Sequence, residues 1–489
     1  MMITKPNKTL RILFIAAEAD PIIKVGGLGD VTGSLPRTLR ALKPAEAAGY
    51  ELDVRLAIPF HPVIQNRIPA PELAASFNVP HPSGPIPAQA YLTHTGELPV
   101  YLISGAPIQS DTGVYSLDSR KDGEKYTFFS LAVLEMLRAL NWQPDILHAN
   151  DWHTAIAVYA LRLRHSDPFF APTYSVLTVH NLPYMGSGAE QALVDYGITP
   201  ARDNRLPWWG KTQPLPMGMS AADALTTVSA SYAREILTPQ FGCGLQEFLQ
   251  LRAGTLWGIH NGLDVQLWDP ATDGAIAQNF DSHTLDTRPA NKQVLLRELD
   301  LPEALKIPLL VFIGRMDQQK GLDLALEALR QVAELPWQAA ILGTGDPALQ
   351  DSARRLEAEY PGRVKSIIRF DTALSRRMYA GGDMLLMPSR YEPCGLAQMI
   401  AMRYGCVPIA RATGGLRDTI FDLQDADGST GFLFTAAAPE ALAGTLRRAF
   451  AAFANPTRWR ARQVCGMGQD FSWQLPAQDY VRLYLRQLT

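Results

Sequence analysis

Asp383-Met384-Leu385-Leu386-Met387 runs into Pro388-Ser389-Arg390-Tyr391-Glu392-Pro393-Cys394-Gly395-Leu396, and this stretch decides the reading of the fold. The apolar run has the length of a strand buried on both faces, and the residues from Gly395 to Met402 read as a helix that starts directly after it. A strand feeding a helix through a polar turn is half of a parallel βαβ unit. Glu392 then lies where a parallel strand ends, beside helix N-terminal N–H groups. That is where open α/β sheets bind ligands and where anions are attracted. Alone, such a glutamate reads either as a solvated cap or as a ligand-facing carboxylate. Recurrence of the arrangement at other strand ends favours the second.

The alternation extends in both directions. Strand-like runs at 11–18, 53–59, 100–103, 145–148 and 174–180 precede a second series at 308–315, 338–343, 364–368, 383–387 and 407–410. Helical spacing intervenes, as with Val31, Leu35, Leu39 and Leu42. Strands alternating with helices imply parallel sheets with right-handed crossovers. Two series on either side of Gly258-Ile259-His260-Asn261-Gly262 predict an N-terminal domain over 1–257 and a C-terminal domain over 258–471. Both read as α/β, doubly wound domains facing each other, with a last helix over 472–489. The Pro-rich stretches at 59–87 and 200–216 read as surface excursions.

Composition narrows the class. The 489 residues are too many for one core, and 47% hydrophobic with 19% charged residues is ordinary for a globular protein. A net charge of −3 offers no basic field for nucleic acid or an acidic membrane. Cys243, Cys394, Cys406 and Cys465 form no C-x-x-C pair, which suits a reducing compartment. The polar N-terminus does not read as a signal peptide, and no apolar run is long enough to span a membrane. A cytoplasmic enzyme or binding protein is expected.

Several strand ends carry chemistry. Lys24-Val25-Gly26-Gly27-Leu28-Gly29-Asp30 joins the first strand to the first helix. Its glycines let backbone N–H groups approach a diphosphate and its lysine supplies charge; the bland reading is a tight turn. It is not G-x-G-x-x-G, so a nicotinamide cofactor is not indicated. His148-Ala149-Asn150-Asp151-Trp152-His153 and His180-Asn181 end two more strands. They are open to three readings: hydrogen bonding of a polyol substrate through Asp151, His153 and Asn181, a metal site, or structural capping. The D-x-D triplet Asp425-Ala426-Asp427 follows no strand, which argues against a metal-dependent nucleotide-sugar site there. In Gly314-Arg315-Met316-Asp317-Gln318-Gln319-Lys320-Gly321, Arg315 offers a planar fork and Lys320 a point charge to phosphate oxygens. Surface ion pairing is the alternative. Gly414-Gly415 reads as a further anion cradle, and Ser389 and Arg390 complete a ring with Glu392.

Together these residues resemble the bacterial glycogen synthase and plant starch synthase family. The matches are Lys24 to Asp30, Asn150-Asp151-Trp152-His153, Thr178-Val179-His180-Asn181, Asn261-Gly262-Leu263-Asp264, Gly314-Arg315 with Gln319-Lys320-Gly321, Pro388 to Gln398, and Thr413-Gly414-Gly415-Leu416. They are collinear and cover nearly the whole chain. The resemblance implies a GT-B fold, two Rossmann-like domains across a cleft with the last helix returning to the first. It implies a retaining hexosyltransferase that moves glucose from ADP-glucose to the non-reducing end of an α-1,4-glucan, with neither metal nor cofactor. By that likeness Arg315, Lys320, Lys24, Gly26 and Gly27 hold the diphosphate, and Phe370 lies against adenine. Asp30, His180, Asn261 and Glu392 surround the glucosyl group, with Cys394, Gly395 and Leu396 against its hydroxyls. Pro214-Leu215-Pro216-Met217-Gly218-Met219 and Met185 depart from the family pattern. A nucleotide-sugar epimerase on the same fold and a non-catalytic glucan-binding protein are the competing classes. Intact Lys24, Arg315, Lys320 and Glu392 argue against a decayed site.

Overall fold

In a computed structural model of the chain, residues 8–65, 68, 70–423 and 428–488 are described. The Asp425-Ala426-Asp427 triplet lies outside them. The chain divides into two compact units: the described residues through Gly262 together with those from Ser472 onward, and Leu263–Phe471.

The first unit holds β1 (Lys8–Ile15), β2 (Tyr50–Pro59), β3 (Glu72–Val79), β4 (Ile86–Thr95), β5 (Leu98–Gly105), β6 (Ile146–Asn150), β7 (Tyr174–Val179), β8 (Ala224–Thr227) and β9 (Leu256–Gly258). They form one sheet in the order β3-β4-β5-β2-β1-β6-β7-β8-β9. Pairing is parallel from β5 through β9, while β3–β4 and β4–β5 are antiparallel. The stretch 59–87 is therefore not a surface excursion, because most of it belongs to the edge hairpin. β3 is largely solvent-facing, so backbone pairing rather than an apolar pattern carries it, and its sequence signal is weak.

The helix Gly27–Ala41 buries Val31, Leu35 and Leu39 on the face their spacing predicts. The helix Gln474–Leu488 inserts Ala477, Tyr480, Val481, Leu483 and Tyr484 into the core of the same unit. Fully buried His148 on β6 fastens it: Nδ1 lies 2.7 Å from the Tyr484 hydroxyl and Nε2 2.6 Å from that of Thr178. His148 thus serves the fold.

The second unit holds β10 (Leu309–Ile313), β11 (Gln338–Gly343), β12 (Val364–Ile368), β13 (Met384–Met387), β14 (Val407–Arg411) and β15 (Phe432–Phe434). All pair in parallel in the order β12-β11-β10-β13-β14-β15. Within the parallel strands of each sheet the order reverses once, between β1 and β6 and between β10 and β13. Connections leave on opposite faces at such a point, which opens a crevice at the strands' C-terminal ends.

Candidate active site

In the first unit, the crevice beside β1 and β6 receives the Lys24–Asp30 turn from one strand and Asp151 from the other. The Lys24 ammonium pairs with Asp30 at 2.5 Å. Glu18, only 1% exposed, accepts the backbone N–H groups of Val25 and Gly26 through Oε2, the latter at 3.2 Å. The Gly26 amide therefore points at Glu18. The amides left for an anion are those of Gly27 and Leu28, which open the helix and have no intrahelical carbonyl.

Asp151 takes a left-handed φ of 56°, uncommon for a side chain with a Cβ, and its Oδ1 accepts from the His180 N–H at 2.7 Å and the Asn181 N–H at 3.4 Å. Burial raises its carboxyl to about 7 in spite of those bonds, and the Glu18 charge adds to the rise. His180 Nε2 lies 2.9 Å from Asn150 Oδ1, while Asn150 Nδ2 donates to the Ile15 carbonyl at 3.1 Å. With the amide so oriented, Nε2 is the protonated nitrogen, and Nδ1 is left as an acceptor. Burial lowers His180 to about 3, so the ring is neutral near pH 7.

His153 is enclosed by Trp152, Tyr126 and Tyr115 at ring separations of 4.2, 4.6 and 5.2 Å, and burial lowers it to about 3. Asp151 and His153 are thus committed to the turn and its packing rather than presented to solvent. Asn261 is buried, with no hydrogen-bond partner on Oδ1 among the described residues. The neighbouring Gly262 is required because a Cβ would lie 2.7 Å from the Trp473 nitrogen.

In the second unit, Glu392 and Lys320 meet beside β10 and β13. Glu392 is 4% exposed, and its Oε2 accepts from Lys320 Nζ at 2.6 Å and Ser389 Oγ at 2.9 Å. Gly321, at φ 67°, lets the two loops touch: a Cβ there would lie 2.2 Å from the Pro388 carbonyl oxygen. Arg315 remains about half exposed, pairing with Asp317 at 2.7 Å and Gln319 at 2.9 Å. The Arg390 fork is committed to an ion pair, because both its terminal nitrogens are held by Asp323, at 2.8 and 2.6 Å.

The Gly414-Gly415 pair is likewise no anion cradle. Its role is close packing, since a Cβ on Gly414 would lie 1.9 Å from the Glu392 carbonyl oxygen and one on Gly415 2.1 Å from that of Cys394. The Gly415 N–H donates to the Glu392 carbonyl at 3.1 Å. Gly395 has φ 72°, so the helix begins at Ala397 rather than at Gly395, with Leu396 as its N-cap and Cys394 buried. Gln398 secures the turn through the carbonyls of Cys394 and Gly395, at 3.0 and 2.9 Å. Phe370 follows the outer strand β12 and is 79% exposed.

Glu18 is the residue whose part the motifs alone did not assign. The signal was present for Glu18: a carboxylate ending an otherwise apolar strand, one turn before paired glycines.

A sequence profile described as "Starch synthase catalytic domain" matches residues 11–251, and one described as "Glycosyl transferases group 1" matches residues 307–452. The chain is 38% identical over 484 residues to a glycogen synthase of Geotalea daltonii, covering 97% of this chain and 98% of that protein. It is 39% identical over 491 residues to a glycogen synthase of an Anaeromyxobacter species, covering 97% and 99%. Among solved structures, the catalytic domain of starch synthase IV from Arabidopsis thaliana, bound to ADP and acarbose, is similar with a TM-score of 0.87 at 30% identity, covering 98% of this chain and 100% of that one. A sucrose-phosphate synthase from Thermosynechococcus elongatus, at TM-score 0.61 and 21% identity over 98% of this chain and 99% of that one, shares the fold.

Proposed function

This chain belongs to the family of bacterial glycogen synthases and plant starch synthases, and from that membership we propose that it transfers glucose from ADP-glucose to the non-reducing end of an α-1,4-glucan with retention at the anomeric carbon. The observation that carries the chemistry is the Lys320–Glu392 pair at the strand-order reversal of the second unit. As the glycosidic bond breaks, negative charge builds on the diphosphate and positive charge on the sugar. Lys320 and Arg315 suit the first charge and Glu392 the second. Because Glu392 is held by Lys320 and Ser389 beforehand, no reorganisation is needed when that charge appears.

In the first unit, Lys24 and the Gly27 and Leu28 amides suit phosphate oxygens. Asp30, Asn261, Asn181 and His180 suit sugar hydroxyls, with His180 Nδ1 as an acceptor. Asp151 and His153 shape the turn that presents them. Phe370 offers a face to adenine, and Cys394, Gly395 and Leu396 line the glucosyl end. The acceptor hydroxyl attacks on the face the diphosphate leaves, and its proton passes to the departing phosphate oxygen. All four cysteines are free, which suits the cytoplasm. Among the described residues no helix is long and apolar enough to cross a membrane.

Incubation with labelled ADP-glucose, with and without glycogen, tests the reading. Label should enter polymer only when glycogen is present, with a higher kcat/KM than for UDP-glucose. An epimerised nucleotide sugar, no turnover, or a clear UDP-glucose preference contradicts it.

A further inference from the structure

Glu18 is buried just beyond the end of β1, and among the described residues no cation lies within ion-pair distance of it. An unpaired buried carboxylate is costly unless hydrogen bonds satisfy it. Here Oε2 takes the Val25 and Gly26 amides, and Oε1 takes the Tyr115 hydroxyl at 3.1 Å. Burial still raises its pKa, because those bonds offset only part of the penalty. The turn closes tightly around it: a Cβ on Gly29 would lie 3.2 Å from Glu18 Oε2.

Tyr115 is itself held in place. Fully buried Lys125 donates to the Gly113 and Val114 carbonyls at 3.1 and 3.0 Å and pairs with Asp122 at 3.0 Å. Asp122 in turn accepts the Ser116 N–H at 2.9 Å. A buried ammonium thus fixes the loop that carries Tyr115, and Tyr115 fixes the carboxylate.

We propose that Glu18 is a positioning residue for donor binding: braced by Tyr115, it holds the Val25-Gly26 backbone so that Lys24 and the Gly27 and Leu28 amides meet the diphosphate as a preformed set. This rests on the reading that the Lys24–Asp30 turn takes the donor. The diphosphate is charged in both the ground and the transition state, so losing the brace weakens binding far more than turnover. A glutamine at 18 keeps the geometry. Its carbonyl accepts the same two amides, and its NH₂ donates to the Tyr115 oxygen.

The test compares Glu18→Ala, Glu18→Gln and Tyr115→Phe by calorimetric titration with ADP and by steady-state kinetics. Glu18→Ala should raise both the Kd for ADP and the KM for ADP-glucose by about 10-fold or more, the scale of a lost charged hydrogen bond, with kcat changed by less than about threefold. Tyr115→Phe should move both constants the same way by a smaller factor, and Glu18→Gln should restore them to within about threefold of the parent. A purely structural role would lower the active fraction, and so apparent kcat, while leaving Kd and KM alone. Parental Kd and KM in Glu18→Ala and Tyr115→Phe would overturn the proposal, as would a Glu18→Gln as impaired as the alanine. If Glu18→Ala does not fold, the other two variants still decide. The ADP titration needs no turnover, so a parent that binds ADP yet transfers no glucose contradicts the proposed function and not this inference.

Discussion

A carboxylate held by a lysine and a serine hydroxyl is oriented before any substrate arrives, and this defines what Glu392 contributes. Replacing Glu392 with Gln keeps an oxygen that both Lys320 and Ser389 can donate to, so the fold and the donor site should survive while the charge is lost. The expected result is a fall in kcat of about 10²-fold or more with little change in KM for ADP-glucose, the scale of one preorganised electrostatic group. Lys320→Ala should behave differently, lowering kcat and also raising KM, because the diphosphate carries charge before and after bond cleavage. Steady-state kinetics on both variants checks the contrast. Near-parental turnover in folded Glu392→Gln would remove the carboxylate from the mechanism. Glu392, Lys320 and Arg315 were legible in the sequence because each sits a fixed few residues past a strand. That Lys320 and Glu392 touch was not legible, because it depends on β10 lying beside β13.

Among the elements, the helix Gln474–Leu488 has the most informative attachment. His148 ties it to β6 and β7, and His148→Ala would leave the buried Tyr484 hydroxyl unpartnered and the Thr178 hydroxyl with Thr226 alone, around a cavity. The cost should be about 2–4 kcal/mol near neutral pH. Burial lowers His148 to about 3, and the nearby His180 adds to the shift. The unfolded chain titrates near 6.5, so it binds the extra proton between the two values. The contribution of His148 is therefore complete above about pH 6.5 and is lost as pH falls toward 3. Hydrogen exchange of the helix amides should show the His148→Ala penalty at about pH 7.5 and a smaller one at about pH 5. An undiminished penalty would mean that the imidazole is not held neutral. The β3–β4 hairpin is the element that pattern reading missed, because a solvent-facing edge strand has no alternation to display.

For the whole molecule, the two units differ in how they are cut from the chain. Leu263–Phe471 is continuous and has its own core, so a fragment with those bounds should unfold cooperatively alone. Residues 1–262 lack the helix that supplies Tyr480, Val481, Leu483 and Tyr484 to their core. Burial of each such side chain is worth ~1.5–3 kcal/mol, and the sum is comparable to the ~5–15 kcal/mol that holds a domain together. That fragment should bind a hydrophobic dye and melt without a sharp transition, and fusing 472–489 to its end should restore one. A sharp transition in residues 1–262 alone would show that the terminal helix is dispensable.

The sequence by itself determined the alternation of strands and helices, the place of each reactive residue just past a strand, and the family to which those motifs point. These follow from local rules: apolar runs of strand length, helical spacing, and glycines where backbones must approach or turn back. The tertiary structure alone decided which residues meet. It brought Glu18 under the Gly26 amide and Tyr115 onto Glu18, and it set Tyr484 against His148 from 336 positions away. It also turned Arg390 to Asp323 and packed Gly414-Gly415 against the Glu392 backbone. Hydrogen bonds act over about 3 Å whatever the separation along the chain. Their partners are therefore set by strand order and by which core a helix covers, and neither is written in any one segment.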